Sequence, residues 1–323
     1  MIQTLGRRGQ EITLSTPAKI NLFFELQGKR EDGFHDIETI MSTVSLFDDI
    51  RFSLRTDGLL RLVVEQQGCT KREDIPSDER NLVLRAMRML RQQFGSEDLG
   101  CDVLLRKRIP SAAGLGGASG NAAGAILAAN ELWDLRLSED QLCEVGSKIG
   151  SDVPFFFRGG TSRCTGRGEI IEALPVPAGM AIVIAKPDAG LSTAAVYGKC
   201  SVPSQPKTSA ALLQSLQNGQ LSMIGQGLFN RLEEFAMSMT PTLGKLREMF
   251  DRLNCVGHQM SGSGSSYFGI FRNHADAHRA AKLATRFDGN TVFTCMTLGR
   301  GGTFRNPVGQ VSGDQDGNYR SQN

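Results

Sequence analysis

The stretch from Lys107 to Asn130, KRIPSAAGLGGASGNAAGAILAAN, constrains this chain more than any other. An apolar and basic run from Cys101 to Ile109 reads as a strand that ends at Pro110. A loop of small residues follows, with Gly114, Gly116, Gly117 and Gly120, and an alanine-rich segment then reads as a helix opening near Ser119 and running to about Trp133. Glycine lets backbone N–H groups turn inward with no Cβ in the way. A helix N-terminus adds unpaired donors and the positive end of its dipole. The combination is a nest for an anion, and phosphate fits it; the same glycines also suit a tight turn onto a close-packed helix. Ser119 fits either as an N-cap or as a hydroxyl offered to a phosphate or its metal. Two common phosphate patterns are excluded. A Walker A loop requires Lys-Ser/Thr after its last glycine, where Asn121 and Ala122 stand, and the G-x-G-x-x-G fingerprint fails at Ser119.

A chain of 323 residues has room for two domains. With 40% hydrophobic and 22% charged residues it has the balance of a globular protein, and a net charge of +2 gives no general attraction to nucleic acid or anionic membrane. No apolar run reaches transmembrane length, and Met1 to Gln10 lacks the apolar core of a signal peptide, so a cytoplasmic location is expected. The seven cysteines are scattered with no C-x-x-C pair, which fits reduced thiols and argues against a structural zinc site.

Residues 11–27 read as a strand broken at Pro17, with Lys19, Asn21, Phe23 and Glu25 on one face and Ile20, Leu22, Phe24 and Leu26 on the other. The polar face is either wet, at an edge, or buried with partners. Gly33 marks a turn before Phe34 and His35; a lone histidine there fits a hydrogen-bonded structural role. Strands are expected at 50–56 and 59–66 as a hairpin turning at Asp57-Gly58, then a polar loop over 67–80 and a helix from Asn81 to Phe94. Ser138-Glu139-Asp140-Gln141 fits a capping box for a helix ending at Gly150. In GSDVPFFF, Asp152 sits in a turn and the three phenylalanines are expected to enter a strand; Asp152 either caps that turn or aims a carboxylate at whatever the glycine loop holds.

Short strands at 161–165 and 169–174 lead to a hinge at Leu174-Pro175-Val176-Pro177, which sets expected domains at 1–175 and 176–300. Beyond it come a strand at 180–185, a short helix carrying Ser192, Thr193 and Tyr197, a linker over 200–208, and helices at 208–217, near 228–237 and at 241–253. A strand at 256–260 enters a second glycine-rich turn, MSGSGSS, followed by a strand at 267–272, a helix at 274–286 and a strand at 291–297, a split βαβ texture. His274 and His278 lie four apart without a nearby glutamate and read as a solvated face. Residues 301–323 have the composition of a disordered tail, and no internal repeat is present.

Three separated stretches, TPAKINLF, PSAAGLGGASGNAAGA and HQMSGSGSSYFGIF, resemble in order and spacing the three motifs of the GHMP kinase superfamily. The segments PAKINLFFELQGKREDGFHDIETIM, ERNLVLRA, GSDVPFFFRGG and LSTAAVY are similar to the branch that phosphorylates a cytidyl-diphospho sugar alcohol. The resemblance spans roughly residues 15 to 300. It implies an α+β, two-domain GHMP kinase fold: an N-terminal ribosomal-S5-like domain, a C-terminal ferredoxin-like α/β sandwich, and the active site in the cleft between them. It implies transfer of the ATP γ-phosphate to the substrate's 2-hydroxyl with Mg²⁺ as cofactor, no nucleic-acid or membrane partner, and a monomer or weak homodimer. By the same resemblance Asp152 matches a general base and Lys19 a catalytic lysine that orients the hydroxyl and offsets charge. Pro110-Ser111-Ala112-Ala113-Gly114-Leu115-Gly116-Gly117-Ala118-Ser119-Gly120 matches the ATP loop, with Gly120 where the family places a second serine. Asn21 and His35 match substrate contacts, Phe34 and Tyr197 a pair that stacks on the cytosine with Thr193 nearby, and Ser261, Gly262, Ser263 and Gly264 a loop near the substrate's phosphates. Three other readings are a GHMP kinase for another alcohol, a nucleotide-binding relative without catalysis, and a nucleic-acid-binding module. The retained Lys19 and Asp152 oppose the second, and the absence of a basic stripe opposes the third.

Overall fold

The computed structural model describes residues 6–8, 10–67, 74–188, 190–287 and 289–300. The expected tail at 301–323 lies outside the described residues, as does Cys69; the six described cysteines are free.

The N-terminal half is built on two long antiparallel strands, β2 (Glu11–Lys29) and β3 (His35–Arg55), joined by the turn at Gly33. Short β1 (Gly6–Arg8) pairs outside β2. On the other side of β3 lies β5 (Gly100–Lys107), and only then β4 (Leu60–Gln66). The expected hairpin at Asp57-Gly58 is therefore wrong. β5 inserts between the two strands, antiparallel to β3 and parallel to β4. Parallel neighbours need a crossover, and α1 (Leu82–Phe94) supplies it. β6 (Thr161–Thr165) pairs with the first part of β3, and β7 (Ile170–Ala173) with β6.

Four helices cover one face of this sheet: α1, α2 (Gly117–Leu132), α3 (Glu139–Ile149) and α4 (Val153–Arg158). The capping box at Ser138 and Gln141 is present. The phenylalanine run 155–157 lies in α4, against the expectation of a strand. An apolar run this short has no decisive period, and Pro154 in the first turn is a helix-start signal.

The C-terminal half is a four-stranded antiparallel sheet in the order β10 (Gly257–Met260), β11 (Tyr267–Phe271), β8 (Ala181–Pro187), β12 (Asn290–Met296). Its helices are α5 (Thr193–Lys199), α6 (Ala210–Gln217), α7 (Leu221–Gly227), α8 (Leu232–Met239), α9 (Pro241–Arg252) and α10 (His274–Ala284). The helix expected near 228–237 is α8, which starts later because β9 (Phe229–Asn230) precedes it and pairs onto β2 of the other half; α7 is an addition to the expected helices. A shared apolar cluster, including Ile20, Leu22 and Ile40 from one half and Ile182, Ile184 and Phe268 from the other, fuses the two. His274 and His278 are exposed on α10, as expected.

Candidate active site

A cleft of about 1200 Å³ runs between the halves and gathers most of the residues singled out in the sequence. β2 brings the first two. Lys19 and Asn21 are 4% and 1% exposed, so their face is buried with partners rather than wet. Lys19 Nζ donates to Asn21 Oδ1 at 2.7 Å, and Asn21 Nδ2 donates to Thr39 Oγ1 at 2.8 Å. The expected face Lys19, Asn21, Phe23, Glu25 does not continue beyond Asn21. A bulge between Asn21 and Phe23 shifts the strand by one residue, so Phe24 lines the cleft and Phe23 packs on Phe229 in the shared core.

Asp152 stands at the N-cap position of α4, yet its side chain makes no capping bond. Its carboxylate lies 3.5 Å from Lys19 Nζ and remains one-third exposed to the cleft. Asp152 therefore caps nothing and lines the cleft together with the glycine loop.

That loop wraps one wall. Helix α2 begins at Gly117 with Gly116 as N-cap, so Ser119 falls inside its first turn and is not the cap; Ser119 lines the cleft instead. Ala112, Gly114 and Gly116 all adopt positive φ, at 47°, 72° and 67°. Among the described residues the N–H groups of Ala112 through Gly116 have no protein acceptor, the condition for an anion nest. The carbonyls face the other way and are used: Leu115 O accepts from Lys19 N–H at 2.9 Å, Ala113 O from Ser266 N–H at 3.0 Å, and Gly114 O from Ser261 Oγ at 2.9 Å. Only glycine fits at 114, since a Cβ there would meet Ser261 O at 2.0 Å. The root of the loop is fixed by buried Asp48, whose carboxylate pairs with Lys107 Nζ and accepts from the N–H groups of Arg108 and Ile109 at 2.7 and 2.9 Å.

The far end of the cleft is aromatic. His35 and Tyr197 have ring centroids 5.6 Å apart, and Phe24 meets Tyr197 edge-on at 6.4 Å. Phe34 is 53% exposed, with the Arg167 guanidinium 5.1 Å above its ring. Burial, and after it the Asp152 charge, push the Tyr197 phenol above its ordinary value and keep it neutral. Thr193 Oγ1 and Ser263 Oγ are 2.8 Å apart, closing the third side. Pro110 through Ser119, Gly262 and Ser263 line the cleft; Gly120, Ser261 and Gly264 support it from behind.

Sequence reasoning missed Lys107, Phe24, Asp48 and Arg167. Arg167 had a local signal, a charged residue between two turn glycines, Gly166 and Gly168, both at positive φ. Asp48 had none, because its partner lies 59 residues away. Among the described residues no group of three or more His, Cys, Asp or Glu side chains could hold a metal by itself, and no helix is long and apolar enough to cross a membrane.

Two family models match the chain: the GHMP kinases N terminal domain over residues 81–160 and the GHMP kinases C terminal domain over residues 212–287. A 4-diphosphocytidyl-2-C-methyl-D-erythritol kinase of Shouchella clausii is 39% identical over 83% of this chain and 88% of its own length. The one of Exiguobacterium sibiricum is 36% identical over 89% and 98%. Among solved structures, a 4-(cytidine 5'-diphospho)-2C-methyl-D-erythritol kinase superposes with a TM-score of 0.72 at 29% identity, covering 89% of this chain and 100% of that one. A homoserine kinase from Cytophaga hutchinsonii reaches 0.73 at 17% identity over 94% and 99%, a likeness of fold.

Proposed function

The chain belongs to the 4-diphosphocytidyl-2-C-methyl-D-erythritol kinase family of GHMP kinases, and from that premise we infer that it transfers the γ-phosphoryl group of ATP to the 2-hydroxyl of 4-diphosphocytidyl-2-C-methyl-D-erythritol. The observation that carries the chemistry is the Lys19–Asp152 pair, 3.5 Å apart where the glycine loop meets the cleft. The substrate oxygen attacks Pγ, its proton passes to the Asp152 carboxylate, and the bond from Pγ to the bridging oxygen breaks as ADP leaves. Lys19 Nζ orients the hydroxyl and offsets charge on the transferring oxygens. Its own position is fixed by Asn21 Oδ1 and by the strand-to-loop bond to Leu115 O.

The unspent N–H groups of Ala112 to Gly116 receive the ATP phosphates, and the first turn of α2 adds its dipole. Ser119 offers a hydroxyl beside that nest and would help to hold a Mg²⁺ ion there, which would supply further neutralisation of the phosphate charge. Phe34, His35 and Tyr197 form the cytidine end, where flat aromatic faces accept a base, and Arg167 adds a cation. Gly262 and Ser263, with Thr193, face the substrate's diphosphate.

ADP release measured with Mg²⁺-ATP and four alcohols (the cytidyl-diphospho substrate, mevalonate, homoserine and galactose) tests this reading. Turnover is expected with the first alone. Asp152→Asn is expected to lower kcat by about 10²–10⁴-fold with the melting temperature unchanged, since the side chain caps nothing. Turnover with another alcohol sinks the substrate, and an Asp152→Asn enzyme that retains full kcat sinks the base.

A further inference from the structure

The segment Phe229-Asn230-Arg231-Leu232-Glu233 plays no part in the chemistry above, yet it grips the back of the second glycine turn. Asn230 is 6% exposed. Its Oδ1 accepts from Leu232 N–H at 3.0 Å at the start of α8, which fixes the direction of the amide. Its Nδ2 then donates to two carbonyls of the turn, Met260 O and Gly262 O, each at 2.8 Å. Glu233 Oε2 takes the N–H of Met260 at 3.0 Å. The segment is itself seated on β2: Asn230 pairs with Phe24, and Arg231 N–H donates to Phe24 O at 2.8 Å. One buried amide therefore ties the turn to the strand that carries Lys19 and Asn21.

Two features say what this arrangement places. Gly262 is at φ 56°, and a Cβ on it would lie 3.2 Å from Lys19 Nζ and 3.3 Å from Asn21 Oδ1. Among the described residues the N–H groups of Gly262 and Ser263 have no protein acceptor, and both residues line the cleft. We propose that Asn230 is a positioning residue for the alcohol substrate: by holding the carbonyls of Met260 and Gly262 at the back of the turn, it presents the N–H groups of Gly262 and Ser263 to the substrate's diphosphate beside Lys19. The inference rests on the reading of the cleft given above.

Asn230→Asp keeps the shape and the bond to Leu232 but sets a carboxylate against two carbonyls. At about pH 8 the KM for the cytidyl-diphospho alcohol is expected to rise on the order of tenfold to 100-fold, with the KM for ATP within about twofold of wild type. Lowering the pH to about 6 returns a proton to the buried acid and with it one donor. The variant's KM for the alcohol then falls back several-fold relative to wild type measured at the same pH. If Asn230→Asp does not fold, Asn230→Ser, which keeps one hydroxyl but cannot span both carbonyls, is read by the same KM split. Rates are referred to folded enzyme, so a merely structural role leaves both KM values unchanged. That result overturns the proposal, as does a KM for ATP that rises in step with the KM for the alcohol. A wild-type enzyme that turns over no cytidyl-diphospho alcohol sinks the reading of the cleft as well, and is seen before any variant is made.

Discussion

Ala112 holds φ at 47°, a conformation that costs a residue with a Cβ about 1–2 kcal/mol. It sits in the first glycine loop, where its left-handed turn helps to swing the following N–H groups toward the cleft. Ala112→Gly removes the strain and gives back about 0.5–1 kcal/mol through the freer unfolded chain. The net expectation is a stabilisation of up to about 1 kcal/mol, read as a higher urea midpoint at unchanged slope; a lower midpoint would show that the loop is not strained there. The residues of the site were legible in the sequence to different depths. The order of Lys19, the glycine loop, Asp152 and the second turn pointed to one cleft, but whether Lys19 and Asn21 were wet or buried depended on what covered them. That cover is β10 and the turn that follows it, more than 230 residues away: Gln259 Nε2 donates to Asn21 O at 2.6 Å, and Gly262 lies beside Lys19 Nζ. The bulge after Asn21 that hands the cleft to Phe24 also leaves no local signal, because either phase of an all-apolar run satisfies the pattern.

The existence of most elements was legible locally, the strands at 181–187, 257–260, 267–271 and 290–296 included, whereas which strand lies beside which was not. The helix at Ser138 carries its own start signal in its capping box. β4 carries a turn signal at Asp57-Gly58, but its neighbour is decided by the return of β5 after α1, which no dipeptide encodes. The same non-local logic governs the contact between β2 and α8. Glu25 is fully buried and takes Arg231 in a bidentate pair at 2.8 and 2.7 Å, with further bonds from the N–H groups of Lys207 and Leu26. Burial works against its charge, but the Arg231 and backbone hydrogen bonds outweigh it and hold the carboxyl below its ordinary value. A lowered folded-state value means that the stability it contributes is present above the unfolded value, about 4.3, and is lost as pH falls through the folded one. Glu25→Gln is therefore expected to be less stable than wild type by about 2 kcal/mol near neutral pH. The gap should close as the pH drops below about 4. Urea titrations of both proteins across that range check it, and a gap that persists in acid removes Glu25 as the titrating group.

At the scale of the whole molecule, the hinge read at Leu174-Pro177 divides the chain into two halves, and the packing fuses them. β9 comes from the C-terminal half of the chain and pairs in the N-terminal sheet. Leu298 N–H donates to Thr43 O at 2.9 Å, and Val44 bridges Thr297. The apolar cluster shared by the halves contains fully buried side chains from both sheets, among them Ile20, Ile40, Ile184 and Ile270. An interface of this kind resembles a domain core more than a sliding surface, so it holds the first glycine loop and the C-terminal glycine turn in register. Unfolding should then be one cooperative event. Trp133, the only tryptophan, sits in the N-terminal core at the C-terminal end of α2, whereas Ile184 lies on β8 of the other sheet. Ile184→Ala is expected to cost about 2–4 kcal/mol. The Trp133 fluorescence midpoint should move with the far-UV dichroism midpoint by that full amount, although Ile184 belongs to the cluster shared by the halves and not to the one that holds Trp133. A Trp133 midpoint that stays in place while the dichroism signal shifts would mean that the halves unfold separately, and the placement of Gly262 beside Lys19 would need another cause.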